Sequence, residues 1–203
     1  MLKFASLIDK FPKTWKGAVI TTWIAVVLAV STLVVTSGPV QSHIIRMIDM
    51  RELESNFCPA KFLQEAESLV ESLGAKSVVV WATDISGNSA SKTVMFAYDA
   101  EGGEHTTESW LGKSAPLYAS DRNRLDMTYL LEGNVTCSAF VAHSEVERRI
   151  AEEDDITHVC SVPVPPTSGN MIGVISVYFD REQTATSAVR LDMRNASKGI
   201  IRE

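Results

Sequence analysis

Residues that could do chemistry are few and scattered in this chain of 203 residues, which has three cysteines and four histidines. It contains no H-E-x-x-H, C-x-x-C, G-x-S-x-G or glycine-rich phosphate-loop motif. His158 and Cys160 lie two apart in one predicted strand and so share a face, which is the start of a metal site, but no further matched ligands accompany them. The acidic run Glu152–Asp155 is typical of a solvated helix end. The sequence therefore predicts no catalytic residue, no metal site, no cofactor and no enzymatic activity.

An uncharged stretch of 20 residues lies between Gly17 and Gly38. As a helix it would be about 30 Å long, which is the thickness of a bilayer's hydrocarbon core, and it predicts a transmembrane helix over residues 18–37. A cleaved signal peptide is the alternative, although its apolar region would be only about 7–15 residues long. Four lysines precede the span, whereas only Arg46 and Arg51 follow it closely. This asymmetry predicts a single-pass protein of the bacterial inner membrane, with a cytoplasmic N-terminus and a periplasmic C-terminus.

Small and hydroxyl side chains share one face of the predicted span. With helical spacing, an arc of about 80° holds six of them: Ala18, Thr21, Ala25, Ala29, Thr32 and Thr36. Small residues let helices approach closely, and hydroxyls that hydrogen-bond across a helix pair contribute roughly 0.6–2 kcal/mol each. Alternatively, the threonines bond only to their own backbone. We predict a homo-oligomer that associates through this face.

The predicted organisation has four parts: a basic cytoplasmic tail (1–17), the transmembrane helix (18–37), a juxtamembrane helix or linker (38–58) and a periplasmic α+β domain (59–203). The net charge is −6 for the whole chain and +4 for residues 1–51, which leaves −10 for the remainder. Such acidity argues against nucleic acid as a partner. Cys58, Cys137 and Cys160 all lie on the predicted outer side, where disulfides persist, so they are disulfide or regulatory candidates. Three cysteines allow at most one internal bridge, and the sequence leaves its pairing open.

The pattern of apolar residues in the outer domain predicts both helices and strands. The segment "CPAKFLQEAESLVESLG" has the helical period and ends at Gly74, and "SVVVWATD" (77–84) and "KTVMFAYDA" (92–100) form a hairpin. After a looser stretch come a strand (134–142), an acidic helix (144–155), two strands (157–164 and 171–180) and a final helix (182–199). This order predicts an α+β fold in which helices cover an antiparallel sheet.

Two segments of the outer domain resemble GAF-type sensor domains. The segment "HVCSVPVPPTSGNMIGVISVYFDRE" is similar to their closing hairpin, with an apolar-Pro-apolar step, a turn with Gly and then G-V-[IL]-x-[VL]. The segment "FLQEAESLVESLGAKSVVVW" resembles the opening of the same fold. The resemblance implies a GAF/PAS-like domain. The function it implies is that of a membrane-anchored sensor or scaffold that binds a small ligand or a protein partner.

A second resemblance covers the whole chain. The arrangement of the chain is similar to that of the holins of T-even-type bacteriophages. It consists of a short basic tail, one predicted transmembrane helix and an outer domain with a cysteine just before its last hairpin. Cys160 falls where that family has a functionally important cysteine, and "VMFAYDAEGG" resembles the family's second strand. The resemblance implies a holin that oligomerises in the host inner membrane and forms lesions that release the endolysin, with an antiholin at the periplasmic domain controlling host cell lysis. We take the holin as the main prediction and the GAF-like sensor or scaffold as the alternative.

Overall fold

The computed structural model describes residues 22–24, 56–85, 90–101, 110–153 and 155–202. The chain divides into two units, Met1–Arg51 and Glu52–Glu203. Of the first unit, the structure describes only Thr22, Trp23 and Ile24, which are helical and exposed. The second unit carries every element named below.

The predicted membrane placement requires a correction. No helix in the described ranges is both long enough and apolar enough to cross a bilayer. This finding contradicts the predicted single-pass location in the inner membrane, which we therefore drop. The segment 18–37 lies outside the described residues apart from Thr22–Ile24. Also outside them are the tail 1–17, the linker up to residue 55 and the predicted association face, namely Ala18, Thr21, Ala25, Ala29, Thr32 and Thr36.

The Glu52–Glu203 unit folds into one antiparallel sheet with helices on both of its faces. In chain order the described elements are α1 (Pro59–Leu73), β1 (Ser77–Asp84), β2 (Ser91–Asp99), β3 (Ser114–Pro116), α2 (Asp121–Leu131), β4 (Thr136–Ala139), α3 (Glu145–Glu153), β5 (His158–Val164), β6 (Gly173–Phe179) and α4 (Ser187–Gly199). The strand order across the sheet is β3-β2-β1-β6-β5-β4. The predicted α+β class, with helices covering an antiparallel sheet, is confirmed.

Most elements fall close to their predicted positions, and the differences have local causes. The final helix begins at Ser187, five residues later than predicted, because the Thr186 hydroxyl accepts a hydrogen bond from the backbone N–H of Val189 and so caps the helix. The stretch predicted to be loose contains both β3 and α2. The strand predicted over 134–142 is reduced to Thr136–Ala139.

Both faces of the sheet are apolar, which explains the continuous run of apolar residues in β1. Successive side chains of a strand point to opposite faces. Val78 and Val80 therefore join the core under α1 and α4, whereas Val79 and Trp81 join a second core under α2 and α3. The second core also holds Trp110 and Leu117, which lie just before and just after β3. The domain thus has two cores separated by one sheet.

The ends of α1 show why this helix occupies these residues. Pro59 occupies the first turn, where its missing N–H costs nothing. Phe62, Ala66, Leu69 and Leu73 recur at helical spacing and are buried against the sheet. Gly74 ends the helix in the left-handed conformation at φ 63°, and the Arg181 guanidinium donates to the Leu73 carbonyl at 3.0 Å. The sequence and the packing therefore agree on both boundaries.

Pro163 lies within β5 without disrupting the sheet. Strand β4 pairs with β5 only from His158 to Ser161, so Pro163 lies beyond the end of β4 and needs no N–H on that side. Its carbonyl oxygen accepts a hydrogen bond from the Ser197 hydroxyl of α4 at 2.6 Å. This bond attaches α4 to the part of β5 that β4 leaves uncovered.

Candidate functional site

A cavity of about 250 Å³ lies between helix α2 and the face of the sheet that carries the second core. The sheet contributes its floor, α2 forms one wall, and the chain from Phe140 to Glu147 closes another side. The residues that line the floor belong to β2, β4, β5 and β6: Lys92, Thr136, Ser138, Ala139, Val159, Ser161, Val174, Ser176 and Tyr178. The cavity thus draws on strands that are distant in the sequence, and the fold alone brings them together.

Helix α2 is positioned by its own N-terminal cap and by two buried side chains. The Ser120 hydroxyl accepts a hydrogen bond from the backbone N–H of Asn123 at 3.2 Å, which caps the helix. Met127 and Leu130, three residues apart, are buried in the second core. Asn123 and Asp126 also line the cavity. The capping serine and the spacing of Met127 and Leu130 are both visible in the sequence. These two features are the signal from which helix α2 could be predicted.

Two of the cavity-lining residues, Lys92 and Glu147, form a buried ion pair. The Lys92 ammonium lies 2.8 Å from Oε1 of Glu147, and the two side chains are 15% and 5% exposed. The same ammonium lies 4.4 Å from the centre of the Trp81 ring, a cation–π contact. Oε2 of Glu147 accepts the backbone N–H of His143 at 2.8 Å and the Ser144 hydroxyl at 3.3 Å. Several partners therefore compensate for the burial of this carboxylate.

Tyr178 provides a buried phenol next to this pair. Burial raises the pKa of Tyr178 well above its usual value, and the negative charge of Glu147 raises it further. The nearby Trp81 indole N–H and Ser176 hydroxyl act on this pKa in the opposite direction and do not overcome the burial. Phe140 packs edge-on against the Tyr178 ring, with ring centres 5.4 Å apart. The Tyr178 phenol that lines the cavity is therefore neutral.

The rest of the cavity lining contains both polar and apolar side chains. The Ser138 hydroxyl donates to Oδ2 of Asp126 at 3.3 Å, and the Ser161 and Ser176 hydroxyls lie 3.1 Å apart. Apolar side chains of the walls and the floor complete the lining, namely Met127, Leu130, Phe140, Val141, Val159 and Val174. A concave, partly apolar site with a few convergent polar groups is the usual form of a small-molecule site. The arrangement can hold a small ligand and orient it by hydrogen bonds.

The residues singled out in the sequence lie elsewhere. Cys137 and Cys160 face each other across β4 and β5 and form a disulfide, whereas Cys58 is a free, half-buried thiol just before α1. His158 lies with Nδ1 3.2 Å from the Thr157 hydroxyl. Among the residues with described positions, no three metal-ligating side chains come together. None of the cavity-lining residues was singled out by the sequence patterns.

Comparisons with known proteins find similarity only among solved structures, since no protein-family model and no curated protein matches the chain. One similar structure is the GAF domain of PixJ from Thermosynechococcus elongatus in its blue-light absorbing form, with 14% identity, a TM-score of 0.44 and coverage of 68% of this chain and 82% of that one. A second is the phycocyanobilin-bound GAF domain of a cyanobacterial phytochrome, with 12% identity, a TM-score of 0.47 and coverage of 78% and 90%. A third is the chromophore-binding domain of the R. palustris bacteriophytochrome RpBphP3, with 12% identity, a TM-score of 0.48 and coverage of 77% and 59%.

These findings correct the predicted family. The similar structures are GAF domains and photoreceptor domains, so the predicted membership of the T-even-type holin family is wrong. The predicted roles in lesion formation and host cell lysis and the antiholin partner depended on that membership and are dropped with it. The resemblance to GAF-type domains is the one that agrees with the comparisons. The predicted homo-oligomer and the exclusion of nucleic acid are not tested by these findings and stay predictions.

Proposed function

We propose that the Glu52–Glu203 domain is a GAF-like sensor domain that binds a small molecule in the cavity between the sheet and α2. The observation that carries the proposal is the cavity itself, in which a buried ion pair, a buried phenol and six hydroxyl or amide side chains converge on one partly apolar space. Five of these six side chains, all but Ser176, are half-buried and line the open space, so their remaining hydrogen-bonding capacity is available to a ligand.

The lining indicates the class of ligand. A volume of about 250 Å³ lies just below the roughly 300–1,000 Å³ of ordinary small-molecule pockets. We therefore propose a small molecule, with an apolar ring or chain against Met127 and Phe140 and hydrogen-bonding groups towards Ser138, Ser161 and Asn123.

The test is a fragment library screened against the full chain by protein-observed NMR. We expect the compounds that bind to shift the resonances of residues around the cavity and to raise the melting temperature. At 100 times the dissociation constant, a ligand stabilises the native state by about 2.7 kcal/mol. Hits that shift only residues outside the cavity would contradict the proposal, and so would a library that yields no binder.

A matched pair of substitutions then separates the cavity from the rest of the core. Val159→Phe adds volume at a half-buried position that lines the cavity, whereas Val70→Phe adds the same volume to a half-buried position on α1 under the opposite face. The first should abolish the ligand-induced shift in melting temperature, and the second should preserve it. Equal effects of the two substitutions would mean that the fragments bind elsewhere.

A further inference from the structure

Strand β4 forms one edge of the six-stranded sheet. Within the described part of the chain, β4 has β5 as its only neighbour. Cys137 and Cys160 lie directly opposite each other with Cα atoms 4.1 Å apart, which is the short spacing of a pair that does not exchange backbone hydrogen bonds. The backbone N–H and C=O groups of Cys137, and by alternation those of Ala139, therefore point away from β5. The edge presents a short row of donors and acceptors.

A groove lies beside the Thr136–Cys137 end of this edge. It encloses about 460 Å³ and is lined by Thr136 and Cys137 of β4, by α2 on one side and by α4 on the other. Asp126 and Tyr129 come from α2, and Arg190 and Arg194 come from α4. An unpaired sheet edge readily pairs with another extended chain, and proteins usually cover or charge such edges. Here two helices flank the edge and leave an open groove beside it.

The charges in the groove indicate what fits there. The domain carries a net charge of −10, yet two arginines face this groove. The Arg194 guanidinium donates to the Gly133 carbonyl at 3.2 Å, which holds it in place, and Arg190 is exposed without a carboxylate partner among the described residues. The one carboxylate in the lining, Asp126, accepts the Ser138 hydroxyl. Arginine pairs with carboxylates through charge-assisted and often bidentate hydrogen bonds.

We propose that this groove binds an extended peptide segment of a protein partner, which adds a strand to β4 and places an acidic side chain against Arg190 and Arg194. Main-chain hydrogen bonds to Cys137 and Ala139 would give affinity, and the arginines would select for acidic residues. The groove shares Thr136 and Asp126 with the cavity, but Cys137, Arg190 and Arg194 line only the groove. A groove that binds no peptide would therefore leave the small-molecule proposal intact.

The probe is a phage-displayed library of random linear peptides, selected on the full chain. Selected sequences should be rich in β-forming residues with Asp or Glu and should lack proline at their centres. Ala139→Pro removes one outward N–H and no ladder bond to β5, since proline is tolerated on the open side of an edge strand. We expect it to weaken a selected peptide at least tenfold. Ala139→Val keeps the N–H and should bind as the unmodified chain does.

Charge is tested by a second matched pair on α4. Arg190→Gln should weaken the same peptide by about tenfold, and the loss should shrink at high salt. Lys198→Gln removes an exposed positive charge from the last turn of the same helix, outside the groove, and should have no effect. Equal losses in the two variants would show only long-range attraction and would overturn the assignment to the groove.

A third measurement does not depend on any variant folding correctly. Methylating every second backbone amide of a selected peptide blocks either the side that pairs with β4 or the opposite side. One methylation pattern should abolish binding and the other should preserve it. Equal binding of both patterns would overturn strand addition, as would a selection that yields no peptide sensitive to Ala139→Pro. A dimer of the chain itself that dissociates in Ala139→Pro would assign the edge to a second copy and overturn the proposed partner.

Discussion

The Lys92 ammonium and the Glu147 carboxylate form a nearly buried ion pair at 2.8 Å, which joins strand β2 to the first turn of α3. Glu147 also receives hydrogen bonds from the residues just before α3, so the same carboxylate orders the start of that helix. A single side chain therefore links the sheet, the helix and the lining of the cavity. Removing its cation should affect the stability of the whole domain.

Lys92→Met tests this link. The substitution keeps most of the side chain's length and leaves Glu147 buried without its cation. Breaking a buried pair by removing one partner costs about 3–5 kcal/mol. We expect a loss near 3 kcal/mol in the free energy of unfolding, because the donors from His143 and Ser144 remain. Urea denaturation followed by circular dichroism measures this loss.

Lys76→Met is the control for this prediction. Lys76 pairs with Glu101 at 3.1 Å, but that carboxylate is 82% exposed. Pairs of this kind contribute about 0–1 kcal/mol. If Lys76→Met lowered the free energy of unfolding as much as Lys92→Met does, burial of the Lys92–Glu147 pair would not be the cause.

Tyr178 should make the domain sensitive to alkaline pH. Its pKa is raised in the native state, chiefly by burial, so the native state holds the phenol proton more tightly than the unfolded chain does. The corresponding stability is fully present below the unfolded tyrosine's pKa of about 10 and is lost as the pH rises above it. The expected loss is about 1 kcal/mol per pH unit, measured by urea denaturation between pH 9 and pH 11.

Tyr178→Phe should flatten this part of the pH dependence, because phenylalanine has no proton to lose. It removes the hydroxyl near Trp81 and Ser176, so stability at neutral pH also changes, and only the slope above pH 10 decides the result. Tyr118→Phe, at a side chain that is 38% exposed, serves as the matched control and should keep the slope of the unmodified chain. A slope unchanged by Tyr178→Phe would assign the alkaline loss to other groups.

The fold was largely predictable because its signals are local. The helical spacing of Phe62, Leu69 and Leu73 and the long apolar run of β1 specify a helix and a central strand before any tertiary contact is considered. Helix α2 was missed because its apolar surface is small. Only Met127 and Leu130 of its eleven residues are buried, so the stretch has a weak helical period.

The candidate site was not predictable from the sequence, and the reason is geometric. Lys92 and Glu147 are 55 positions apart in the numbering, and nothing local to either of them indicates the other. They meet because the Lys92 side chain lies on the same face of β2 as Val94, which is the face of the sheet that α3 covers. The pairing of the cysteines could not be predicted for the same reason, because the register of β4 on β5 places Cys137 opposite Cys160.

The disulfide between Cys137 and Cys160 should be a measurable source of stability. The two residues are 23 positions apart, and closing a loop of that length in the unfolded chain is worth about 3 kcal/mol. Cys137→Ala removes the bridge at its half-buried end and keeps the Cys160 sulfur in the core. We expect the free energy of unfolding to fall by about 3 kcal/mol. A reducing agent should lower the free energy of unfolding of the unmodified chain by a similar amount.

Cys58→Ser distinguishes the bridge from the general effect of losing a cysteine. Cys58 is a free thiol at the N-cap of α1, and its side chain makes no capping bond there. Serine is among the preferred residues at this position, so the substitution should be neutral or stabilise the domain by up to about 1 kcal/mol. The unmodified chain should show one reactive thiol in denaturant, and Cys58→Ser should show none. Two or three reactive thiols in the oxidised, unmodified chain would contradict the bridge and the stability assigned to it.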